Sequence, residues 1–385
     1  MFITYTELFA LSSFRQAQLA AGKGGLKKPI RWYHLIEIKD MSQWIEAGTL
    51  VFITGVGLKN IQQNLCDILD ILGRKKASGL VINVGVYISE LSEEVLQKAD
   101  LLNIPLITIP ESVKLIRVTY ELGHCLLQAQ TKEQKRRQKI HDLLMLSNSD
   151  PAPDVSGLNL SPDSMYCVGI LKITDRQGNN VTLNNAAIYE AQSYIQNTAS
   201  RSAFYDTVYD QNIFILPIAP DSSAADIQNL YSVFASKIHT EKEERIQIGV
   251  SRPCASPSVW HNAYLEAQKA LFVNGSAFFN TPVTLYQNLG LLQAVDFSKK
   301  DALQQMISET LGPVQTQPVL LQTLTEYFLC GRNEKQASQM LHTHVNTTKY
   351  RLKKILTLLP VPFTTEQDKI LVESAVILQS VLSVM

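Results

Sequence analysis

The sequence has few cysteines, no long apolar run and no excess of charge of either sign. Its five cysteines are odd in number and widely spaced, which excludes a CxxC motif and argues against a disulfide framework. We therefore expect reduced thiols and a cytoplasmic location. No stretch approaches the roughly 20 apolar residues of a membrane span, and the N-terminus lacks the apolar core of a signal peptide. Lysine plus arginine equals aspartate plus glutamate at 35 each, so contact with nucleic acid would need a locally basic face.

Signatures of catalysis and of metal binding are also missing. The chain has no Walker motif, HExxH pair, nucleophile elbow or conspicuous carboxylate pair, and the glycines of residues 22–25 do not fit a phosphate loop. His342 and His344 lack a third ligand, so we expect no metal and no cofactor. An enzyme is therefore disfavoured. A small-molecule-binding metabolic enzyme with an accessory helical domain is the alternative, and a protein-interaction adaptor is a third possibility.

Residues 1–112 read as a parallel α/β domain. Apolar strands at residues 50–54, 79–84 and 105–109 alternate with helical patterns, and Ser92 can cap the second of those helices. Ligands of such sheets sit at the carboxyl ends of the strands. Arg31, Trp32 and His34, which precede these strands, carry groups that can stack or hydrogen-bond. They either line a ligand pocket or hold the subdomain together, and the sequence favours neither role. The candidate ligand-binding residues are Arg31, Trp32, His34, Thr54, Gly55 and Asn83.

The middle of the chain contains a long helix and a second α/β segment. Residues 113–147 hold no proline and one glycine, which predicts a connecting helix with a possible role in dimerisation. After a linker, residues 163–285 follow the order β-α-β-β-α-β of the ferredoxin-like fold, with a helix expected at 184–198 and a hairpin turning near Asp210. From residue 300 to 385 the chain is predicted to be wholly helical.

A helix-turn-helix pattern lies within this helical region. Asn333 is a good cap for a first helix over residues 334–341, which has an apolar face of Ala337, Met340 and Leu341. A turn at 342–344 precedes a second helix over residues 345–356. Between residues 331 and 356, six cations stand against one acid, which favours DNA as the partner. The candidate DNA-binding residues are His344, Asn346, Thr347, Lys349, Tyr350, Arg351, Lys353 and Lys354.

Three motifs together resemble the PucR/CdaR-type transcriptional regulators. Residues 344–352 are similar to the H-x-N-T-x-x-Y-R-L signature of the family's Fis-related helix-turn-helix. Residues 24–32 and 44–55 resemble the opening motifs of its effector domain, and residues 248–271 resemble its GGDEF-like middle domain. Two departures stand out. The hairpin tip at 209–212 lacks the GGDEF run, which argues against nucleotide cyclisation, and Thr348 replaces an apolar residue, which predicts looser packing of the second helix.

The resemblance implies a multidomain α/β and α+β protein with an all-α C-terminal DNA-binding domain. It implies an effector-sensing domain, a degenerate GGDEF-like ferredoxin-like domain and a helix-turn-helix that binds a double-stranded operator. We expect a ligand-responsive regulator of a catabolic pathway, such as purine or nitrogen metabolism, that acts as a homodimer or higher homo-oligomer without contact with a membrane. The effector class stays open among purine-catabolism intermediates, amino acids and sugar acids.

Overall fold

The computed structural model describes residues 2–37, 42–145, 155–158, 160–161, 163–177, 179–181, 203–208, 211–238 and 244–384. These form two compact units, Met1–Gln138 and Lys139–Met385. The predicted fold class is confirmed, because both units contain mixed α/β sheets and the C-terminal region is helical. The predicted helix at 184–198 lies outside the described residues.

The first unit is built on a five-stranded sheet in the order β1-β5-β4-β3-β2. Strands β2 to β5 are parallel, and β1 runs antiparallel to β5. The strands are β1 Gln18–Ala21, β2 Trp32–Leu35, β3 Thr49–Ile53, β4 Gly79–Val84 and β5 Leu106–Pro110. The helices are α1 Tyr5–Ala10, α2 Ile61–Arg74, α3 Glu93–Leu101 and α4 Leu115–Met145.

Both faces of this sheet are covered by helices. Val51 and Ile53 pack in one core with α2 and α3, whereas Leu50 and Phe52 pack in a second core with α1 and α4. Successive strand residues point to opposite faces, so a fully buried strand reads as a continuous apolar run. This explains why β3 was predictable. The cap at Ser92 is also confirmed, because its side chain accepts a hydrogen bond from the Val95 N–H.

The second unit begins with a sheet in the order β10-β9-β6-β8-β7. Strand β6 lies antiparallel between β8 and β9, as a ferredoxin-like fold requires, and β10 adds an unpredicted parallel edge. The strands are β6 Met165–Thr174, β7 Phe204–Val208, β8 Gln211–Ile218, β9 Arg245–Val250 and β10 Val283–Leu285. The described helices against this sheet are α5 Ala224–Lys237 and α6 Trp260–Val273, which cover opposite faces.

Helix α6 belongs to two cores. Its first half, through Trp260 and Ala267, packs on the sheet together with the end of α4. Its last turns contribute Ala270 and Val273 to the core of the C-terminal helices. Those helices are α7 Lys300–Leu311, α8 Pro318–Leu329, α9 Glu334–Met340, α10 Val345–Leu358 and α11 Glu366–Leu382. The middle and C-terminal regions therefore share one continuous packed body.

Candidate nucleic-acid interface

Helices α9 and α10 form a capped helix-turn-helix. The Asn333 side chain accepts a hydrogen bond from the Gln336 N–H at 3.1 Å and so caps α9. His344 caps α10 in the same way, because its Nδ1 accepts from the Asn346 N–H at 3.2 Å. Between the two helices, His342 adopts a left-handed conformation with φ of 51°, which turns the chain sharply. The predicted first cap, turn and start of the second helix are thus confirmed.

The buried side of the motif contains small and hydroxyl-bearing residues. Ala337 is fully buried, and α10 buries Leu352 and Ile355 in the core of the C-terminal helices. Thr348 is also fully buried, and its hydroxyl pairs with that of Thr343 at 2.9 Å. A buried hydroxyl that is hydrogen-bonded avoids the cost of an unsatisfied polar group. The looser packing expected at this position is therefore not what the structure shows.

The apolar face predicted for the first helix is only partly correct. Ala337 faces the core, but Met340 is 62% exposed, and Ser338 is buried in its place. The helix ends at Met340, so this side chain lies in its last turn. The Ser338 hydroxyl is satisfied by donating to the Lys335 carbonyl at 2.7 Å.

The solvent side of α10 carries the predicted DNA-binding residues. At 100° per residue, Asn346 and Tyr350 lie opposite the buried arc, with Lys353 and Lys354 beside them. Tyr350 is 69% exposed, and Asn346 is exposed at the first turn. Arg351 lies at the margin of this face and is only partly exposed. The other members, His344, Thr347 and Lys349, are all exposed.

Two charges near this face are already paired. The Lys349 ammonium lies 3.7 Å from the Glu334 carboxylate, and both side chains remain largely solvated. Arg332 donates to Glu366 at 2.7 Å and to Glu373 at 2.9 Å. These contacts raise the pKa of the Arg332 guanidinium. Arg332 is therefore an internal cation of the domain, and the basic excess counted from the local sequence overstates the charge presented to DNA.

The candidate effector residues do not form one group. Trp32 pairs with Thr49 at the amino end of the parallel strands, and the Arg31 N–H donates to the Gly48 carbonyl at the same end. Thr54, which follows β3, lies at the opposite, carboxyl end. A strand rises about 3.3 Å per residue, so the two ends lie more than 10 Å apart. One small ligand therefore cannot bridge all of these residues.

The remaining three candidates, His34, Gly55 and Asn83, also lie at different positions along the strands. His34 pairs with Val51 in the middle of the strands, and its Nδ1 lies 3.3 Å from the Leu35 carbonyl. Gly55 and Asn83 lie with Thr54 at the carboxyl end, where the Asn83 side chain donates to the Pro110 carbonyl at 3.4 Å. Thr54, Gly55 and Asn83 are thus the part of the predicted set that the sheet brings to one end.

Sequence reasoning missed Glu37, which follows β2. Its Oε1 accepts two hydrogen bonds from Thr54, at 2.8 Å from the backbone N–H and 2.7 Å from the hydroxyl. These two hydrogen bonds link the residues that follow β2 and β3. Strand β2 was not predicted, so nothing in the pattern placed Glu37 beside Thr54.

Within the described part of the chain, no group of three or more metal-ligating side chains comes together. Among the described helices, none is both long and apolar enough to cross a bilayer.

Comparison with known proteins assigns a family domain to each of these regions. Residues 7–126 match the purine catabolism regulatory protein-like family, residues 154–273 match the GGDEF-like domain, and residues 320–378 match the PucR C-terminal helix-turn-helix domain. The chain belongs to the PucR-type regulator family. The capped α9–α10 motif lies within the region that matches the PucR C-terminal helix-turn-helix domain.

Individual relatives of this PucR-type chain are distant. The purine catabolism regulatory protein of Bacillus subtilis (strain 168) is 23% identical over 109 residues, which is 28% of this chain and 20% of that protein. A regulator of polyketide synthase expression from Bifidobacterium adolescentis aligns over 63% of this chain and 91% of its own, at 12% identity and a TM-score of 0.31. That score is too low to support a structural inference.

Proposed function

We propose that this PucR-type regulator binds a specific operator through the outer face of α10 and responds to a small catabolic metabolite. The observation that carries the proposal is the exposed row of Asn346, Tyr350 and Lys353 on a helix whose opposite side is buried. An amide near the start of such a helix can bond base edges in the major groove, while later cations meet phosphates. The name of the Bacillus subtilis relative supports purine catabolism as the regulated pathway.

A second copy of the chain is part of the proposal. One helix-turn-helix reaches few base pairs, so operators of this kind present two half-sites about one helical turn apart. Helix α4 offers a surface for pairing, because Ile116, Tyr120 and Leu127 are 77%, 75% and 55% exposed along one stripe. Tyr120 stacks on His124, with ring centroids 6.5 Å apart. Large apolar side chains exposed in a row favour association of helices.

The effector would act through the first unit. Helix α4 starts in that unit and ends in the second, so it is the proposed path between ligand and DNA-binding domain. A ligand can control DNA binding only if it binds one of two arrangements of the protein more tightly than the other. The shift that it produces between the two arrangements cannot exceed that difference in binding free energy.

The test uses the full chain. Genomic DNA fragments are selected by binding, and the selected duplex is compared with a scrambled one by fluorescence anisotropy at several salt concentrations. We expect the selected duplex to bind more tightly at every salt concentration and Asn346→Ala to remove that preference. Equal affinity for both duplexes would contradict the operator proposal. A thermal-shift screen of purine intermediates, amino acids and sugar acids tests the effector separately.

A further inference from the structure

Glu37 has one carboxylate oxygen in use and one without a partner. Oε1 accepts both hydrogen bonds from Thr54, whereas Oε2 is shielded from solvent and has no hydrogen-bond donor within reach. A shielded acceptor without a donor is unfavourable, and more so when it is charged. Such groups in native proteins call for an explanation, and a bound ligand is one.

Glu37 and Thr54 lie at the end of the sheet from which two loops extend. Gly55 follows Thr54 with φ of +87°, and a Cβ there would lie 2.6 Å from Ile88 and 3.3 Å from Tyr87. The loop after β3 therefore packs closely on the loop after β4. These two loops expose three large apolar side chains, Val56 at 45%, Val86 at 75% and Tyr87 at 53%. Glu37 as a whole residue is only partly buried, although Oε2 is shielded, so a small molecule would reach Oε2 by displacing what covers it rather than by disrupting the strands.

We propose that Glu37, Thr54, Val56, Val86 and Tyr87 form the effector site, here called the carboxyl-end patch, and that it binds a flat ligand with N–H donors. Oε2 would accept from an amide, ureide or amidinium group, and Tyr87 would contact the flat face of the ligand. The inference rests on the proposed effector function and narrows its chemistry. A ligand whose only polar groups are carboxylates would place a negatively charged oxygen against the Glu37 carboxylate and be repelled.

Three probes of one shape test this. Benzamidinium and benzamide carry N–H donors, whereas benzoate carries acceptors alone. Their dissociation constants for the full-length protein are measured by ligand-observed NMR titration. We expect both N–H probes to bind at least about tenfold more tightly than benzoate, the scale of one hydrogen bond to a charged group.

The decisive variant is Glu37→Gln. Its amide oxygen still accepts from Thr54, while its NH2 occupies the position of Oε2 as a donor, so the preference should fall or invert in favour of benzoate. Glu90→Gln is the matched control, since it removes an exposed carboxylate from the same end of the sheet. It should keep the wild-type preference. Thermal unfolding of both variants checks that the fold is intact.

Three results would overturn the inference: equal binding of the three probes, no saturable binding of either N–H probe, or a preference unchanged in Glu37→Gln. None of these bears on DNA binding, which is followed in the same samples by anisotropy. If a metabolite screen finds an effector whose affinity is insensitive to Glu37→Gln, the effector function stands and the carboxyl-end patch does not.

Discussion

Thr343 in the turn and Thr348 in α10 join their hydroxyls at 2.9 Å, which ties the turn of the helix-turn-helix to its second helix. Thr348 is fully buried, so its hydroxyl cannot find water if the pair is broken. The register of α10 relative to α9 therefore depends on a polar contact as well as on apolar packing.

Removing one hydroxyl of this pair should lower the free energy of unfolding more than removing both. Thr343→Val keeps the shape and should lower the free energy of unfolding by about 1–2 kcal/mol, because the buried Thr348 hydroxyl loses its partner. The double variant with Thr348→Val should recover part of that loss, a coupling of about 0.5 kcal/mol or more. Urea denaturation of the two single variants and the double variant gives the free energies of the double-mutant cycle. Strictly additive losses would mean that the hydroxyl pair does not stabilise the motif.

Base and phosphate contacts of α10 should separate by their dependence on salt. Lys353→Ala and Lys354→Ala should each reduce the slope of log K against log salt by about 1, because each removes one phosphate contact. Asn346→Ala should instead weaken the selected duplex and leave the slope unchanged. Lys75→Ala, an exposed lysine of the first unit, is the control. Unchanged slopes for both lysine variants would place the phosphates elsewhere.

His344 should have two roles that two substitutions can separate. Since Nδ1 accepts from the Asn346 N–H, the neutral ring carries its proton on Nε2, free to donate to DNA. His344→Asn preserves a capping side chain but loses that donor, whereas His344→Ala loses both, with a capping cost of about 1 kcal/mol. We expect both variants to bind DNA less tightly and only the alanine variant to unfold more easily. Wild-type affinity in His344→Asn would restrict His344 to capping.

The first unit should lose stability in acid through Glu121. Hydrogen bonds from the Ser12 hydroxyl and the Ser13 N–H lower the pKa of this carboxyl from 4.5 to about 2. A pKa depressed by folding stabilises the protein above the ordinary value, and that contribution is lost as pH falls from 4.5 toward 2. Glu121→Gln should therefore flatten the dependence of stability on pH in this window. Circular dichroism during acid titration measures it, and parallel curves for the two proteins would contradict the assignment.

Self-association should depend on the α4 stripe. A charge placed at Tyr120 or Leu127 by Tyr120→Glu or Leu127→Glu should yield a monomer, since burying an unpaired carboxylate between helices is costly. Leu101→Glu is the matched control, because Leu101 is 81% exposed on α3. Light scattering after size-exclusion chromatography gives the mass. A dimer that persists in both stripe variants would place the interface elsewhere.

Local patterns carried most of what could be predicted from the sequence. The caps at Asn333 and Ser92 and the buried strand β3 each depend on neighbours in the chain, so spacing alone revealed them. Strand β2 escaped because it has only four residues, lies at a sheet edge and mixes aromatic and polar side chains without alternation.

The contacts that escaped prediction join distant parts of the chain. Arg332 was counted in the basic excess of residues 331–356, because its acceptors, Glu366 and Glu373, come 34 and 41 residues later in the chain. Arg31 and Thr54 were both candidates for the effector site, but the pairing of β2 with β3 places them at opposite ends of the sheet. Strand β2 was not predicted, so the sequence pattern did not place Arg31 at the amino end of the sheet.

Helix α6 contributes Trp260 and Ala267 to the core on the sheet and Ala270 and Val273 to the core of the C-terminal helices. This sharing limits where recombination can divide the chain during evolution. A recombination point inside or just after this helix would leave one partner with an uncovered apolar surface. The GGDEF-like region and the C-terminal helices are thus expected to be inherited together, as one unit to which different N-terminal domains can be joined.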